Sequence, residues 1–407
     1  MGEEERKKDV VMKIGPKILD LLEKAGEIEL EDVEININEL EIQLPSTLGA
    51  IVAPPEKIIQ KAKKPEAILE AAFTPYVQEY PGQIREITLG AGKRTGGSRG
   101  KVLKVGGEKS PAYYLFEKPP PNPPAIALDV FDVPPPLPKA IKVHLGDVLN
   151  DPAAWANLAV ERFGADLVTI HLLSTDPLIK DAPPKIAAKT IENVLQTVDV
   201  PIIVGGCGDP KKDAEVFIEV AERFHGERLL LSSVTLDMDE AGVLSRVAKA
   251  AAEHDQLVLA FTALDLNRAK ELNRKLYQYL PEDLILMDLT TAALGYGLEY
   301  SFTIHERARL AALMGDAELQ HPTLSGTTNA WAAREAWLNI GPEWEPRELR
   351  GPLWETVTAL CLLLAGVDIF MMMHPRAVST VKKVIRELSN IGGAKPEKIA
   401  NWVSANI

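Results

Sequence analysis

The sequence predicts an α/β protein: a (β/α)₈ TIM barrel preceded by a small N-terminal α+β extension. Two observations support this prediction. Eight short β-branched runs alternate with helical patterns over residues 125–389, and a closed barrel needs eight such strand–helix units. No GxGxxG fingerprint follows the first run, so an open, dinucleotide-binding sheet, which shares the alternation, has no support.

The eight predicted strands are short apolar runs bounded by glycine, proline or polar residues. In chain order they are AIALDVF, DLVTIHL, VPIIVGG, RLLLSS, QLVLAFT, DLILMDL, PTLSGT and VDIFMMM. The helix predicted after the third strand is the clearest, because Phe217, Val220 and Phe224 share one face. Asp209 as N-cap and Pro210 at the first helical position mark its start.

The chain is predicted to contain four segments. Residues 1–84 form an appended domain, in which EIELEDVEININELEIQL alternates apolar and acidic residues as half-buried strands do. Residues 85–124 form an entry hairpin and a proline-rich linker. The barrel follows at residues 125–389, and a C-terminal tail helix at residues 390–407.

Composition and charge exclude several classes of function. Of the 407 residues, 58 are Asp or Glu and 45 are Lys or Arg, so the formal net charge is −13. A chain of this charge without a basic block is a poor partner for nucleic acid. No apolar run approaches the roughly 20 residues of a membrane span, and the first residues, MGEEERKKDVVMKIG, have no signal-peptide core. We therefore expect a cytoplasmic protein that binds neither nucleic acid nor membrane.

The loops after the predicted strands are rich in glycine and small hydroxyl residues. Ligands bind at this end of a (β/α)₈ barrel. GGCGDP follows the third strand and LGYG the sixth, and glycines there let the main chain approach a ligand and expose N–H donors. No cluster of His, Cys and Asp has metal-ligand spacing. The sequence therefore predicts no catalytic residue and no metal, but a broad face for a large planar, amide-rich molecule.

Five residues near the strand ends keep more than one interpretation. Cys207 fits a small residue in a ligand-facing turn better than a nucleophile or a metal ligand, since no histidine is close in sequence. His374 is interpreted as a cap of the last helix, and His171 either faces the mouth of the barrel or fills an inner layer. Asp176 and Asp288 either brace neighbouring loops or act as bases.

Several of these segments resemble the small subunit of the corrinoid iron–sulfur protein, which is the delta subunit of the archaeal acetyl-CoA decarbonylase/synthase complex. The resemblance covers residues 85–388 in order and with matching spacing. Its most specific segments are VGGCGDPKKDAEVFIEVAE, LDLTTAALGYGLEYSFTIHERARLAAL and MMMHPRAV. It implies a subunit of a complex and not a free-standing enzyme.

The resemblance further implies a heterodimer that carries methyl groups. A corrinoid would lie between this barrel and the large (gamma) corrinoid iron–sulfur subunit, and this chain would hold no iron–sulfur cluster. The methyl group would pass between a methyl-tetrahydropterin methyltransferase and the acetyl-CoA synthase subunit, in reductive acetyl-CoA (Wood–Ljungdahl) metabolism or in acetyl-CoA cleavage. The implied corrinoid-facing residues are Gly205, Gly206, Cys207, Gly208, Gly295, Tyr296, Gly297, Thr327 and Thr328.

Two other functions compete with this one. A stand-alone barrel methyltransferase would bind the methyl-pterin itself, with Asp176, Asp288 and Asn329 hydrogen-bonded to the pterin edge. Alternatively, the barrel is purely structural in the assembly and contacts no ligand. A methyltransferase would keep pterin binding and turnover when purified alone, whereas half of a cradle would hold corrinoid weakly until its partner is added.

Overall fold

The computed structural model describes residues 77–114 and 119–389. These residues belong to the second of two units into which the chain divides, Tyr76–Ile407. The predicted appended domain, apart from residues 77–84, and the predicted tail helix at 390–407 lie outside the described residues.

Eight parallel strands form a closed barrel. The strands of the described residues are β1 (Ile87–Leu89), β2 (Leu103–Val105), β3 (Ala125–Phe131), β4 (Leu167–His171), β5 (Ile202–Gly205), β6 (Leu230–Val234), β7 (Leu257–Phe261), β8 (Ile285–Asp288), β9 (Thr323–Ser325) and β10 (Ile369–Met372). From β3 to β10 each strand pairs with the next, and β10 also pairs with β3, which closes the ring. All eight predicted runs are therefore strands of one sheet, and the (β/α)₈ prediction is confirmed.

Helices surround the barrel. They are α1 (Lys139–Leu145), α2 (Pro152–Glu161), α3 (Pro184–Thr197), α4 (Pro210–Arg223), α5 (Leu236–Glu240), α6 (Leu244–Glu253), α7 (Leu266–Leu276), α8 (Leu298–Leu313), α9 (Arg350–Leu364) and α10 (Pro375–Ser389). Helix α4 begins as predicted, because Asp209 accepts the N–H groups of Lys211 and Lys212. Among the described helices, none combines the length and the apolar character needed to cross a membrane.

The antiparallel pair β1–β2 lies at the amino-terminal end of the barrel, which we call the floor. Arg228, ahead of β6, donates from Nε to the carbonyl of Thr88 at 3.0 Å. The N–H of Lys101 donates to the carbonyl of Asp199, ahead of β5, at 2.9 Å. Both contacts join the hairpin to loops that enter the barrel strands, so the hairpin covers this end.

A buried ion-pair network ties the floor to the last strand. The guanidinium of Arg309, on α8, lies 3.2 Å from Glu108 and 3.1 Å from Asp368, and all three residues are buried. Burial raises the pKa of Asp368, and the neighbouring guanidinium opposes that rise. Each charge of the network thus has an opposite charge beside it, as buried charges require.

The carboxyl-terminal end of the barrel, which we call the mouth, has polar residues on its inner wall. Asp129 is paired in register with Thr169, and Phe131 with His171. Side chains alternate between the two faces of a strand, and register partners share a face. Thr328, which follows β9, also reaches Asp129, although β9 does not neighbour β3. This contact crosses the barrel, so we assign these four residues to the interior face of β3 and β4.

The connection after β9 is the longest at the mouth and has no counterpart in the sequence prediction. It consists of four short 3₁₀ segments, which are Thr327–Ala332, Arg334–Ala336, Pro342–Trp344 and Arg347–Leu349. The buried Arg350, at the start of α9, donates from its guanidinium to the carbonyls of Glu335 and Leu338. The segment is therefore held in place by an arginine that belongs to the next helix.

Candidate functional site

Three predicted ligand-facing segments lie at the mouth. Gly205 ends β5 and Gly206–Gly208 follows it, Gly295–Gly297 lies after β8, and Thr327–Thr328 lies after β9. The carboxyl ends of parallel strands meet at one end of a barrel, so the fold brings all three segments to the same end. Gly205 is buried at the strand end, whereas Gly208, Gly295 and Tyr296 are exposed to solvent.

The turn after β5 is organised by a carboxylate from helix α4. Asp213 accepts the N–H groups of Cys207 and Gly208 at 2.7 and 2.8 Å. A Cβ on Gly206 would come within 2.4 Å of that carboxylate, so only glycine fits there. The two N–H groups that the sequence suggested as ligand donors are therefore used inside the protein. Burial raises the pKa of Asp213, and these two hydrogen bonds lower it.

Cys207 is a free, half-buried cysteine in this turn. Burial raises the pKa of its thiol, so the neutral thiol is favoured over the reactive thiolate. Among the described residues, no group of three or more His, Cys, Asp or Glu side chains could hold a metal ion. These observations agree with the interpretation of Cys207 as a small residue in a turn.

The turn after β8 presents an aromatic side chain between two glycines of positive φ. Gly295 has φ +75° and Gly297 has φ +104°, a backbone conformation that favours glycine. Tyr296 between them is about half exposed, and its hydroxyl donates to Glu335 at 2.9 Å. This hydrogen bond links the turn to the long connection after β9.

The two predicted threonines differ in their accessibility. Thr327 is fully buried, and its hydroxyl lies 3.0 Å from the hydroxyl of Ser325. Thr328 donates to Asp129 Oδ2 at 2.5 Å. Thr327 therefore belongs to the barrel wall, whereas Thr328 orients a carboxylate of the interior.

Asp129 and His171 form a polar pair that sequence reasoning identified only in part. His171 Nε2 lies 3.3 Å from Asp129 Oδ1, and the His171 ring stacks on Phe131 with centroids 4.8 Å apart. A Cβ on Gly205 would come 2.9 Å from His171 Nδ1. Neither Asp129 Oδ1 nor His171 Nε2 has a hydrogen-bond partner of normal geometry. The signal for Asp129 was a single carboxylate in the apolar run AIALDVF.

The two candidate acids of the neighbouring loops brace the main chain. Asp288 Oδ1 accepts the N–H of Thr290 at 2.8 Å, and Asp176 Oδ1 accepts the N–H of Leu178 at 2.7 Å. Burial raises the pKa of Asp288 to about 7. The bracing interpretation is thus confirmed for both residues, and Asp288 is also a group that changes its charge near neutral pH.

His374 and Glu355 complete the far side of the mouth. His374 Nδ1 accepts the N–H of Arg376 at 3.1 Å, so the predicted capping of the last helix is confirmed. Burial lowers the pKa of His374 to about 3, and the ring is neutral. Glu355, on α9, accepts the N–H groups of Met373 and His374 at 2.6 and 3.0 Å, and burial raises its pKa to about 8. Sequence reasoning did not single out Glu355, although it is the one acid in the apolar helix pattern LWETVTALCLLLAG.

The fold and the mouth together define a (β/α)₈-barrel protein whose mouth carries open glycine turns and a half-exposed tyrosine. Residues 86–374 match the family described as CO dehydrogenase/acetyl-CoA synthase delta subunit. The chain belongs to this family, the delta subunits of the acetyl-CoA decarbonylase/synthase complex.

Relatives named as delta subunits of the acetyl-CoA decarbonylase/synthase complex match most of the chain. The protein from Archaeoglobus fulgidus is 51% identical over 353 residues, which are 84% of this chain and 77% of the relative. The delta 1 subunit from Methanosarcina thermophila is 48% identical over 371 residues, with 89% and 84% covered. The protein from Methanocaldococcus jannaschii is 46% identical over 384 residues, with 92% and 93% covered.

Solved structures with a similar fold include two dihydropteroate synthases. The Yersinia pestis enzyme has a TM-score of 0.43 and 15% identity, and the match covers 67% of this chain and 93% of that one. The Thermus thermophilus enzyme has a TM-score of 0.43 and 17% identity, with 75% and 100% covered. At these identities the likeness concerns the fold alone.

Proposed function

We propose that this chain is one half of a corrinoid cradle in a heterodimeric methyl carrier. Its partner is the large (gamma) corrinoid iron–sulfur subunit, which carries the iron–sulfur cluster. The heterodimer exchanges methyl groups with a methyl-tetrahydropterin methyltransferase and with the acetyl-CoA synthase subunit. Membership of the delta-subunit family supports a role in that complex, and the surface of the mouth supports the cofactor.

Two open glycines at the mouth are the observation that carries this proposal. Gly208 has φ +99° and Gly295 has φ +75°, and at either residue a Cβ would meet no atom within 4 Å. A side chain at these positions would project into the open space above the barrel. A flat macrocycle needs main chain without side chains at its edge, and the half-exposed ring of Tyr296 adds an aromatic face.

The residues of the mouth would hold and orient the corrinoid, whose cobalt supplies the methyl-transfer chemistry. Gly208 and Gly295 would let the main chain lie close to the ring. Cys207, with a neutral thiol, would add a small contact. The unpartnered polar atoms of Asp129 and His171 are suited to the amide side chains of a corrinoid, because buried polar atoms without a partner are rare.

Gly205, Gly206, Gly297 and the two threonines would act indirectly. Gly205 leaves room for His171, Gly206 for the carboxylate of Asp213, and Gly297 for the ring of Tyr300. Thr328 holds Asp129, and Thr327 packs inside the wall. These residues would therefore shape the cradle without touching the cofactor.

The proposal is tested by co-purifying the chain with the large subunit and recording the visible absorption spectrum. In the variant G208L, a side chain would occupy the space of the macrocycle, and we expect the corrinoid content per heterodimer to fall about tenfold or more. G164L is the matched control, because Gly164 also has a positive φ and no atom within 4 Å of a Cβ but precedes β4 at the other end. Wild-type corrinoid content in G208L would overturn the proposal.

The methyltransferase alternative is disfavoured by the contacts of its three candidate residues. Asp288 and Asp176 already accept main-chain N–H groups, and Asn329 donates to the carbonyl of Thr291 at 2.9 Å. Each side chain therefore uses one of its hydrogen-bonding atoms to brace a loop, and a pterin edge would be left with the other atom. Tight methyl-pterin binding and turnover by the isolated chain would establish this alternative instead.

A further inference from the structure

Helix α9 has an apolar stripe that is partly exposed to solvent. Leu353 and Leu364 are 41% and 53% exposed. Between them, Val357, Leu360 and Cys361 are half-buried. The spacing of these five residues places them on one face of the helix, over a length of about 17 Å. We call these five residues the α9 face.

The α9 face differs from the outward faces of the other barrel helices. The two charged residues of α9, Arg350 and Glu355, are both buried. On α3 and α7, by contrast, the exposed positions are mainly polar or charged, as a solvent-facing helix requires. They are Lys185, Ile186, Lys189, Asn193, Gln196 and Thr197 on α3, and Asn267, Arg268, Glu271 and Arg274 on α7.

The apolar surface extends into the connection that precedes α9. The large apolar side chains that this connection exposes are Trp337, Leu338, Ile340 and Trp344. Trp344 packs near Trp354 with ring centroids 6.4 Å apart, and the buried Arg350 holds the carbonyl of Glu335 at 2.7 Å. These aromatic side chains are therefore presented on an anchored segment next to the first turn of α9.

The composition of this part of the chain is that of a protein interface. No lysine occurs between Lys275 and Lys382. Of the seventeen large apolar side chains that are exposed among the described residues, ten lie between Tyr296 and Leu364. Protein interfaces are enriched in Trp, Tyr and Arg and depleted in Lys. This sector of the barrel surface therefore fits a protein partner.

The charges on the side of the surface that faces α8 indicate the chemistry of that partner. Helix α8 packs against α9. Together, α8 and the connection that precedes α9 carry five exposed acids and three exposed arginines. They are Glu299, Glu306, Glu343, Glu345 and Glu348, with Arg307, Arg334 and Arg347. In a symmetric dimer the same patch would face itself, which would set acid against acid. The excess of acid favours a different chain with a basic border.

We propose that the α9 face and the adjoining tryptophan-bearing connection dock another subunit of the complex, through an apolar patch bordered by Lys or Arg. The occupant is a different polypeptide of the assembly and not a second copy of this chain. The inference goes beyond the corrinoid cradle, because it concerns the side of the barrel and holds whether or not the mouth binds a corrinoid.

The two cysteines of the chain allow a direct test. Cys361 lies on the α9 face and Cys207 at the mouth, and the chain has no other cysteine. Alkylation by iodoacetamide at pH 9, followed by mass spectrometry, is compared between the isolated chain and the assembled complex. We expect the alkylation of Cys361 to slow at least tenfold in the complex. The alkylation rate of Cys207 reports separately on the corrinoid cradle at the mouth. A failure of the docking proposal can therefore be distinguished from a failure of the cradle proposal.

A pair of substitutions measures the contribution to binding. The double variant L353E/L364E replaces two exposed side chains, so it should fold, with unchanged circular dichroism. We expect its affinity for the other subunits to fall roughly 30-fold or more. I186E on α3 is the matched control, because Ile186 is also exposed on a barrel helix, and it should bind as wild type does. If the double variant unfolds, W337A/I340A serves in its place.

Three results would overturn the inference. One is equal alkylation of Cys361 in the isolated chain and in the complex. Another is an isolated chain that sediments as a dimer which L353E/L364E dissociates, because that would assign the face to a second copy. The third is protection of Cys361 in the isolated monomer, because that would assign the face to another segment of the same chain.

Discussion

The floor and the mouth of the barrel contain similar buried polar residues, but they differ in how completely those residues are paired. At the floor, Arg309 contacts Glu108 and Asp368 and also donates to the carbonyl of Gly366. At the mouth, Asp129 and His171 lie 3.3 Å apart and leave polar atoms without well-formed hydrogen bonds.

This difference separates a structural network from the proposed binding surface. A buried polar atom without a partner costs free energy, so its retention points to a ligand or to function. The inner wall of the mouth also contains Thr169, whose buried hydroxyl has no partner. At the floor, the Tyr113 hydroxyl and Glu108 Oε2 also lack a hydrogen bond of normal geometry. There, however, Glu108 lies beside the permanent charge of Arg309, at 3.2 Å, whereas the partner of Asp129 at the mouth is a histidine. We therefore expect substitutions in the ion-pair network of the floor to lower stability, and substitutions of Asp129 and His171 to alter ligand binding.

The largest expected effect is at the floor, in the variant R309M. Removing the guanidinium leaves Glu108 and Asp368 buried without an opposite charge, which costs about 3–5 kcal/mol of unfolding free energy. Urea unfolding of the chain measures this loss. R268M, which removes an exposed arginine of α7, is the control and should leave the free energy of unfolding within about 0.5 kcal/mol. A loss below about 1 kcal/mol in R309M would contradict the assignment of the floor as a structural network.

A smaller effect is expected in the turn after β5, in the variants G206A and D213A. The Cβ of G206A would displace the carboxylate of Asp213, and D213A removes it, so both lose the hydrogen bonds to Cys207 and Gly208. Each variant should lose about 1–3 kcal/mol. The double variant should be as stable as the less stable of the two single variants, because both substitutions remove the same interaction. Additive losses in urea unfolding would show that Gly206 is required for another reason.

The pH dependence of stability tests Asp288 at the mouth. Its folded pKa of about 7 lies above the unfolded value of about 3.9. Between these values the folded chain holds a proton that the unfolded chain has released. The contribution of Asp288 to stability is therefore greatest at low pH and declines as the pH rises through 7.

The variant D288N removes this titration and keeps an oxygen acceptor for the N–H of Thr290. Relative to wild type, D288N should gain about 2 kcal/mol of unfolding free energy between pH 5 and pH 8. The measurement is urea unfolding of both proteins at the two pH values. Taking the difference cancels the other buried groups, including His305 and His374, whose pKa values burial lowers to about 3. A constant difference would mean that Asp288 is ionised throughout.

The sequence predicted the barrel because its signals are local. Each strand is an apolar run between helix-capping or turn residues, and Asp209 and Pro210 mark the start of α4 without reference to the rest of the fold. The capping role of His374 was predictable for the same reason, since the acceptor and the N–H of Arg376 are two residues apart.

The site was predictable only in position. Spacing brought the glycine turns to the mouth, but it did not show that Asp213 occupies the donors of Cys207 and Gly208, because α4 must first fold back over the turn. The spacing also did not show that Thr327 is buried while Thr328 reaches Asp129. The two residues are adjacent in sequence, and the register of the barrel strands decides which side chain points inward. Contacts between distant segments need the assembled sheet.

The smallest expected effect concerns Tyr296 at the rim of the mouth. Y296F removes the hydroxyl that donates to Glu335 and keeps the aromatic face. The free energy of unfolding should therefore change by about 0.5 kcal/mol or less, and the corrinoid content should stay close to that of wild type. Y296A removes the face as well and should lower the corrinoid content of the heterodimer several-fold, as measured by the visible spectrum. Since the side chain is half exposed, neither variant should unfold the barrel. A loss of corrinoid in Y296F equal to that in Y296A would mean that the hydroxyl, and not the ring, is what the mouth offers to the cofactor.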